Sequence, residues 1–544
     1  MSLTGGLEIR GGHFHFAKVH FVYGVLSSVF PSTLVALLAF NKFPRRLLAA
    51  VFLALFFCEM WIFLSLGTRV TDRIIMLIDQ TNRVETAEFF QQYLPTWPTL
   101  FAALGVVVLV VAYKIAARWW AKVRAASSPR WFAPGAIVIN ILSALALVNC
   151  PMGWWGQSFR SLPTPFKLAS SITLLDSKSD VLSQTEEALS LVDSRMPMDG
   201  DAPQTLVWVI GESFNRRHSS LYGYSLDTNP GLRRELEAGN LLVFDDVVTP
   251  SSGTVNVINA LFTTPVVKDK DKMWRAPLLP TLLHHAGYTV TVHDNHSTQN
   301  GAEGFWDDDL LYFLSSRGVS QSSLDYRNDR LEQYDMEFCR NEIDSMRRYA
   351  FGAPHAMSVF HLQGQHIPAF KRFPAELGKF SPASDYDWRP DLDTGQKEDL
   401  AAYDNATLYN DSVVTMIVSS LRGRDAVMVY HTDHGEEIHD YRHQYGRTLE
   451  PLTRGIVDNI FRIPMVIFTT PEFRERHPAK YRAMVEASHK PITLAAMSQL
   501  LMGISGIETE FLRAEDNPLS RDYRPAGKRL MNDSIDYDVF KTRP

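Results

Sequence analysis

The chain of 544 residues carries a formal net charge of −6, with 54 Lys and Arg against 60 Asp and Glu. This length exceeds that of one ordinary domain, and the slightly acidic balance gives no indication of nucleic-acid binding. The three cysteines, Cys58, Cys150 and Cys339, exclude a disulfide-rich scaffold. Because two of them fall in or beside apolar runs, Cys339 stands alone in the remainder and can form no disulfide there.

Four apolar runs in the first 150 residues predict membrane-spanning helices. Each is near the length that a helix needs to cross a bilayer. A set of buried core helices is the alternative, but four such runs so close together fit a membrane domain better. Residues 1–150 are therefore predicted to form a transmembrane domain. The predicted spans cover residues 21–40, 47–66, 99–117 and 133–150.

Basic residues predict the orientation of these spans. Lys42, Arg45 and Arg46 lie between the first two spans, and a second basic group lies between the last two. The positive-inside rule places both loops in the cytoplasm. Segment 68–97, the N-terminus and everything after about residue 151 are then expected outside. The second basic group comprises Lys114, Arg118, Lys122, Arg124 and Arg130.

Glu59 interrupts the second apolar run. Carboxylates inside membrane spans are often functional, because placing their charge in lipid is costly. A position in the outer half of the span would instead let this side chain reach the interface. Both interpretations of Glu59 stay open.

A polar connector and an α/β domain are predicted after the last span. Residues 151–203 form the connector, and apolar strand-like runs alternate with helical stretches after it. This alternation predicts an α/β domain over residues 204–544, with a mostly parallel sheet sandwiched by helices. Ligands in such sheets bind at the carboxyl ends of the strands. The runs cover residues 205–210, 241–248, 289–293, 357–361, 426–431 and 463–468.

Polar side chains follow several of these strands. Glu212 follows the first strand, Thr254 lies after the second at the start of a predicted helix, and His366 follows the fourth. Asp433 and His434 end the fifth, where a carboxylate and an imidazole can share one divalent metal ion. Taken singly, each is better explained as a cap or a hydrogen-bonded polar residue. Their coincidence at one sheet edge predicts a metal site.

These residues stand within longer motifs that occur in a fixed order. The set resembles the phosphoethanolamine transferases of the alkaline-phosphatase/sulfatase superfamily, in particular the branch that modifies the lipopolysaccharide core. The resemblance runs from about residue 20 to the C-terminus. It implies a multi-pass protein of the bacterial inner membrane with its catalytic domain in the periplasm. The motifs are Leu206-Val207-Trp208-Val209-Ile210-Gly211-Glu212-Ser213, Ser220-Leu221-Tyr222-Gly223-Tyr224, Gly253-Thr254, Gly364-Gln365-His366 and Asp433-His434-Gly435-Glu436-Glu437.

The resemblance implies a metal centre with a nucleophile. Glu212, Thr254, Asp433 and His434 match the zinc ligands of the family, and Thr254 also matches its nucleophile. A threonine hydroxyl is a poor nucleophile at neutral pH, and coordination to a metal ion favours its alkoxide. Oxygen-rich ligands with one imidazole suit Zn²⁺ or Mn²⁺, so the choice of zinc comes from the resemblance.

Five residues match substrate contacts of the family. His366 and His443 match histidines that bind phosphate or transfer protons, with a solvated loop histidine as the alternative for His443. Ser297 falls where the family contacts its substrate. Thr81 and Glu85 share one face of a predicted amphipathic helix and match contacts to the donor headgroup. The alternative for that segment is an interfacial helix without a ligand.

The chain also departs from the family pattern. Leu77 and Asn300 stand where the family has an asparagine and a lysine. The first of five family spans has no counterpart, so either the sequence starts inside the natural chain or this member lacks that helix.

The implied reaction moves phosphoethanolamine from phosphatidylethanolamine to a lipopolysaccharide acceptor, a core sugar or lipid A, through a phosphoethanolamine-threonine intermediate. The expected partners are the donor lipid, lipopolysaccharide and membrane lipids, with no nucleic acid, and a monomer is expected. Phosphoglycerol transfer and phosphodiester hydrolysis on the same fold are the alternatives. Sulfate hydrolysis is disfavoured because Thr254 cannot be converted to formylglycine. A membrane-tethered sensor on a degenerate enzyme fold would have lost a metal position, and none is lost here.

Overall fold

The computed structural model describes residues 7–10, 13–16, 42–66, 90–91, 94, 96–126, 194–197, 201–264, 277–296, 324–442, 444–447, 452–532 and 534–541. The chain divides into two compact units, residues 1–79 with 86–177, and residues 80–85 with 178–544. The described part of the first unit is mainly helical, and that of the second is α/β.

Two long helices dominate the described part of the first unit. Helix α1 spans Lys42–Leu66, helix α2 spans Trp97–Ala126, and the two pack against each other. A short antiparallel pair, β1 (Leu7–Arg10) and β2 (His13–Phe16), precedes them. Glu59 is buried within α1.

The predicted spans 47–66 and 99–117 fall within α1 and α2. Among the described residues, Trp97–Ile115 is the one helical segment long and apolar enough to cross a membrane, judged by length and composition. The apolar part of α1, Leu53–Ser65, is shorter. The four-span arrangement therefore stays a prediction. Three predicted elements lie wholly or mostly outside the described residues: spans 21–40 and 133–150 and segment 68–97.

The second unit contains thirteen strands among its described residues. They are β3 Ser194–Arg195, β4 Thr205–Gly211, β5 Leu241–Val243, β6 Asp246–Val248, β7 Thr289–Asp294, β8 Tyr326–Arg327, β9 Ala356–His361, β10 Ala426–Thr432, β11 Met465–Thr469, β12 Pro491–Thr493, β13 Glu508–Thr509, β14 Leu530–Met531 and β15 Ile535–Asp536.

Its described helices lie mostly between these strands. The α-helices are α3 Pro230–Glu237, α4 Thr254–Phe262, α5 Leu279–Ala286, α6 Asp335–Tyr349, α7 Thr394–Ser420, α8 Arg454–Ile456, α9 Pro471–Arg476, α10 Pro478–Ser488, α11 Met497–Ser505 and α12 Tyr537–Phe540. Short 3₁₀ turns lie at Arg216–His218, Ser220–Tyr222, Ala369–Lys371, Ala375–Leu377 and Leu494–Ala496, and a π-turn lies at Val457–Phe461.

The central sheet has seven strands in the order β5-β11-β10-β4-β9-β7-β8. From β10 to β8 every neighbouring pair is parallel. Strand β11 is antiparallel to both β10 and β5, so it alone runs in the opposite direction. The α/β class is confirmed, and the mostly parallel sheet is more accurately a mixed sheet with one reversed strand near its edge.

Apolar residues on both faces of β4 explain its central place. Leu206, Trp208 and Ile210 pack on one face in a core shared with α4, α5 and α11. Val207 and Val209 pack on the other face in a core shared with α6 and α7. A continuous apolar run is typical of a strand buried on both sides. The predicted layering, a sheet between two helix layers, matches these two cores.

The apolar run 241–248 was wrongly predicted as one strand. It forms β5 at the edge of the central sheet and then β6, which pairs with β12 in a separate two-stranded sheet. At the break, the Phe244 amide donates to Met465 O and the Asp245 amide donates to Ser488 O, each at 3.0 Å. The chain therefore changes its hydrogen-bonding partner inside a run that looks uniform in sequence.

Candidate active site

The carboxyl end of β4 positions Glu212. Its side chain is fully buried, and the next residue, Ser213, adopts a positive φ of 59° that turns the chain sharply. The hydroxyl of Tyr403 on α7 donates to Ser213 O at 2.5 Å and accepts from the Asn215 amide at 2.7 Å. This strained turn is thus held from a neighbouring helix, as is common at functional sites.

Helix α7 brings Tyr403 to this turn because its start is fixed by a capping box. The Asp393 side chain accepts from the Gln396 amide at 2.9 Å, and the Gln396 side chain accepts from the Asp393 amide at 3.1 Å. These two bonds satisfy amides that a helix start leaves unpaired.

Strand β10 ends next to β4 and delivers Asp433. One carboxylate oxygen, Oδ1, accepts from the amides of Ser213 at 3.0 Å and His434 at 2.7 Å. The other oxygen, Oδ2, is buried and accepts no hydrogen bond from the described residues. A buried carboxylate oxygen without a donor is costly unless a cation satisfies it.

His434 presents one ring nitrogen to the same point. Its Nδ1 lies 2.9 Å from Gly435 O, and because a carbonyl only accepts, Nδ1 carries the proton. Its Nε2 faces the site, at 3.0 Å from Asp433 Oδ2 and 3.2 Å from Glu212 Oε1. Burial and Arg447 oppose a charge on this ring, but Asp433 and Glu212 raise its pKa to about 10, so a cation would bind here by displacing the Nε2 proton. A histidine held in one tautomer by a backbone carbonyl is the usual arrangement of a metal ligand.

Thr254 reaches the site as the first residue of α4, at the start of a helix as predicted. The strand before it, β6, belongs to a separate two-stranded sheet and not to the central one. Its Oγ1 lies 3.3 Å from Glu212 Oε2 and 3.4 Å from His434 Nε2. The N-cap residue is Gly253, which offers no side chain to the first amides of the helix. Those amides and the helix dipole therefore favour negative charge beside Thr254.

The four side chains that the sequence singled out thus converge. Ligand atoms of Glu212, Asp433 and His434 all lie within 4.8 Å of one another, with the Thr254 hydroxyl beside them. Three oxygen donors and one imidazole suit Zn²⁺ or Mn²⁺, and the donor-free Oδ2 of Asp433 fits a bound cation. The residues present are therefore compatible with a metal centre.

A guanidinium group also faces this donor set. Arg447 Nη1 lies 2.6 Å from His434 Nε2, and the same nitrogen donates to Ser252 O at 2.9 Å. Burial opposes ionisation of Glu212, but the protonated ring of His434 and the guanidinium of Arg447 hold the pKa of this carboxyl well below its usual range. The centre therefore keeps an ionised carboxylate and already attracts positive charge.

Two residues that lie next to the metal ligands were not identified from the sequence. Arg447 lies thirteen residues after His434, in no recognisable motif. Glu436, inside the Asp-His-Gly motif, is buried, and its Oε2 lies 3.5 Å from Arg447 Nε. Burial raises the pKa of Glu436 to about 7. The position of Glu436 inside the motif could have identified it as part of the site, whereas no sequence pattern marks Arg447.

His366 follows a tight loop that packs directly on Glu212. Gly364 has a positive φ of 51°, and the Gln365 amide donates to Glu212 O at 3.0 Å. The ring of His366 makes no hydrogen bond with the described residues. Burial, together with the positive charges of Arg372 and Arg447, holds the pKa of His366 well below its usual range. The imidazole is therefore neutral at neutral pH.

Replacing Gly364 with alanine is expected to lower the stability of the unit by about 1–3 kcal/mol. A Cβ there would lie 2.8 Å from the backbone nitrogen and oxygen of Glu212, in a conformation that disfavours side chains. Thermal unfolding of the full chain measures the effect. Gly423→Ala is the matched control, because φ is also positive there but a Cβ meets nothing within 4 Å. Equal shifts in both variants would show that the approach to Glu212 is unimportant.

The remaining predicted site residues lie outside the described residues. They are Thr81, Glu85, Ser297 and His443.

Comparisons with known proteins agree on one fold. Phosphoethanolamine transferase EptC of Escherichia coli strain K12 is 25% identical over 537 residues, covering 92% of this chain and 88% of that protein. A crystal structure of the C-terminal periplasmic domain of E. coli EptC in complex with Zn matches with a TM-score of 0.56 at 25% identity, covering 65% of this chain and 97% of that domain.

A full-length structure matches along nearly the whole chain. The integral membrane protein lipooligosaccharide phosphoethanolamine transferase A (EptA) from Neisseria meningitidis has a TM-score of 0.61 at 17% identity, covering 93% of this chain and 98% of that one. At this identity the likeness concerns the fold. A model of the sulfatase family matches residues 204–506, which is more than half of the sequence. The chain therefore belongs to the sulfatase family.

Proposed function

We propose that this chain is a metal-dependent phosphoethanolamine transferase. It moves phosphoethanolamine from phosphatidylethanolamine to a lipopolysaccharide acceptor, a core sugar or lipid A, through a covalent phosphoethanolamine-Thr254 intermediate. The observation that carries the proposal is the Thr254 hydroxyl, 3.3 Å from Glu212 and 3.4 Å from His434 at the start of α4. The similarity to EptC, a phosphoethanolamine transferase, supports the choice of the transferred group.

In the first half of the reaction, Thr254 Oγ1 attacks the phosphorus of the donor lipid. The bond between phosphorus and the diacylglycerol oxygen breaks, and a phosphoester of Thr254 forms. A neutral His366 accepts the threonine proton and passes it to the leaving oxygen, so that diacylglycerol departs as an alcohol. The N-terminal amides of α4 stabilise the charge that grows on the phosphoryl oxygens.

In the second half, the acceptor replaces Thr254 on phosphorus. A hydroxyl of the acceptor gives its proton to His366 and attacks the phosphoester. The bond to Thr254 Oγ1 breaks, and the returning proton restores the threonine hydroxyl. In each half of the reaction the same imidazole thus serves first as base and then as acid, so no net proton is gained or lost over one cycle.

Glu212, Thr254, Asp433 and His434 would hold the metal ion. Zinc is the expected cofactor, supported by the zinc complex of the EptC domain, and Mn²⁺ suits the same donors. When bound, the ion lowers the pKa of the threonine hydroxyl and offsets charge on the phosphoryl group.

The donor and acceptor require a membrane setting. We place the chain in the bacterial inner membrane as a multi-pass monomer, with the catalytic unit in the periplasm. The apolar segment Trp97–Ile115 and the likeness to an integral membrane protein support this placement. Thr81 and Glu85 are proposed to contact the donor headgroup, and Ser297 and His443 the phosphate.

Mass spectrometry of lipids tests the reaction. The purified full chain with zinc and vesicles of phosphatidylethanolamine is expected to release diacylglycerol and to modify added lipopolysaccharide. Vesicles of phosphatidylglycerol serve as the control and should give no product. Lipopolysaccharide from a deletion strain should lack phosphoethanolamine at one position, which identifies the acceptor. Turnover of phosphatidylglycerol alone would instead establish phosphoglycerol transfer.

A further inference from the structure

A second group of metal-binding side chains adjoins the first. Glu212, His296 and His361 each offer one ligand atom, and these three atoms lie within 4.8 Å of one another. Glu212 and His361 are buried, and His296 is partly buried. Neither histidine takes part in the reaction steps proposed above. The cluster arises because β4, β9 and β7 are adjacent parallel strands with their carboxyl ends at one edge.

The two ring nitrogens of His361 differ in their surroundings. Its Nδ1 lies 3.0 Å from Asp294 Oδ1, and a carboxylate oxygen accepts, so Nδ1 carries the proton. The other ring nitrogen, Nε2, is buried and makes no hydrogen bond with the described residues. The residue is only 2% exposed, so no bulk water satisfies Nε2. A buried acceptor without a partner needs an explanation, and a metal ion supplies one.

His296 is held in a matching state. Its Nε2 lies 2.9 Å from Leu362 O, so Nε2 carries the proton and Nδ1 keeps its lone pair. The ring stacks on His361, with centroids 4.1 Å apart and planes inclined by 17°. Both rings thus donate one proton to a fixed oxygen and keep one nitrogen for a ligand, as histidines do beside metals.

We propose that Glu212, His296 and His361 form a second binding site for a divalent metal ion of the zinc type. Two imidazoles and one carboxylate are a donor set of catalytic zinc sites, in which a fourth position stays open for water or substrate. Sharing Glu212 would place the two ions as neighbours, and paired ions about 4 Å apart recur in enzymes of phosphoryl transfer. The inference depends on the proposed function only because Glu212 is a ligand in both proposed metal sites.

Metal counting on the full chain tests the site. The protein is purified in detergent, stripped with a chelator, saturated with Zn²⁺ and analysed by mass spectrometry for zinc per chain. The wild type is expected to bind about two ions. His361→Asn should retain about one, and so should His296→Asn, which is the second variant because His296 is less buried and its replacement disturbs packing less.

The matched control is His355→Asn. His355 is also partly buried and also bonds a backbone oxygen, Pro203 O, through Nδ1 at 3.0 Å, but it belongs to no metal-type cluster among the described residues. This variant should keep both ions. A wild type that binds one ion, or His296 and His361 variants that both keep two, would overturn the proposal.

Manganese provides a second measurement, the magnetic coupling between two bound ions. This coupling would not change if His296 and His361 only supported the fold. With Mn²⁺ in both sites, electron paramagnetic resonance should show an exchange-coupled pair, and His361→Asn should show an isolated ion instead. An uncoupled wild-type spectrum contradicts a shared Glu212. Failure here is separable from failure of the proposed function. If the protein binds one ion and still transfers phosphoethanolamine, the second metal site is wrong and the proposed function stands. If it binds two coupled ions and transfers nothing, the second metal site stands and the proposed function is wrong.

Discussion

Thr254→Ala is expected to lower the rate of phosphoethanolamine transfer at least about a thousandfold, because the variant has no hydroxyl to form the phosphoester. Binding of the donor lipid should change little, since Thr254 is one of several groups that face the site. With a donor labelled in its headgroup, the wild type should carry label on a peptide that contains residue 254. The variant should carry none. Release of diacylglycerol and mass spectrometry of the peptide measure the two effects.

Two further variants separate chemistry from structure. Thr254→Ser keeps the hydroxyl and should retain both labelling and partial activity. Thr264→Val removes a buried hydroxyl that makes no hydrogen bond with the described residues, so it should leave transfer unchanged. If Thr254→Ala protein still became labelled and still modified lipopolysaccharide, the nucleophile would be a different residue.

Strand register explains why part of the site was predictable from sequence. Gly211 on β4 pairs with Thr432 on β10, so the next residues, Glu212 and Asp433, emerge side by side. Parallel strands that end at one edge produce this adjacency whatever their side chains. Apolar runs followed by acidic residues were therefore sufficient to propose the carboxylates of the metal site.

Other parts of the site depend on packing that sequence patterns do not show. Thr254 lies on α4, which follows β6, a strand outside the central sheet. The chain leaves the central sheet between β5 and β6, where the hydrogen-bonding partner changes within one apolar run. Arg447 faces His434 from a loop without a motif. His361 looked like an ordinary last residue of a strand until the Asp294 contact fixed its tautomer. Loop paths and ring tautomers follow from tertiary contacts.

Gly435 follows the Asp-His pair after the end of β10. Glycine at such a position is typical of a turn. In the structure a Cβ at this position would collide with Asn459 O, while the Gly435 amide donates to Ile460 O at 2.8 Å. The need for glycine therefore comes from a backbone neighbour distant in sequence, because the φ angle here is not in the left-handed region.

Asp433→Asn is expected to remove about one zinc ion per chain and to weaken zinc binding at this centre at least about a hundredfold. The amide oxygen can still accept from Ser213 and His434, so the local fold should persist. The amide nitrogen then stands in place of Oδ2, and because it is a donor without an available lone pair it cannot bind a cation. Transfer should fall with the zinc content. Zinc analysis and thermal unfolding with and without added zinc measure both consequences.

The thermal measurement separates lost metal from damaged folding. An ion that binds only the folded state raises the unfolding temperature, and the rise grows with its affinity. The wild type should therefore unfold at a higher temperature with zinc than after chelation, and Asp433→Asn should show a smaller rise from a similar metal-free value. Asp344→Asn, which removes an exposed carboxylate paired with Arg347 at 2.8 Å, is the control and should behave as the wild type. An Asp433→Asn protein with the full zinc content and the full thermal shift would exclude Asp433 as a ligand, and the donor set at the end of β10 would then rest on His434 alone.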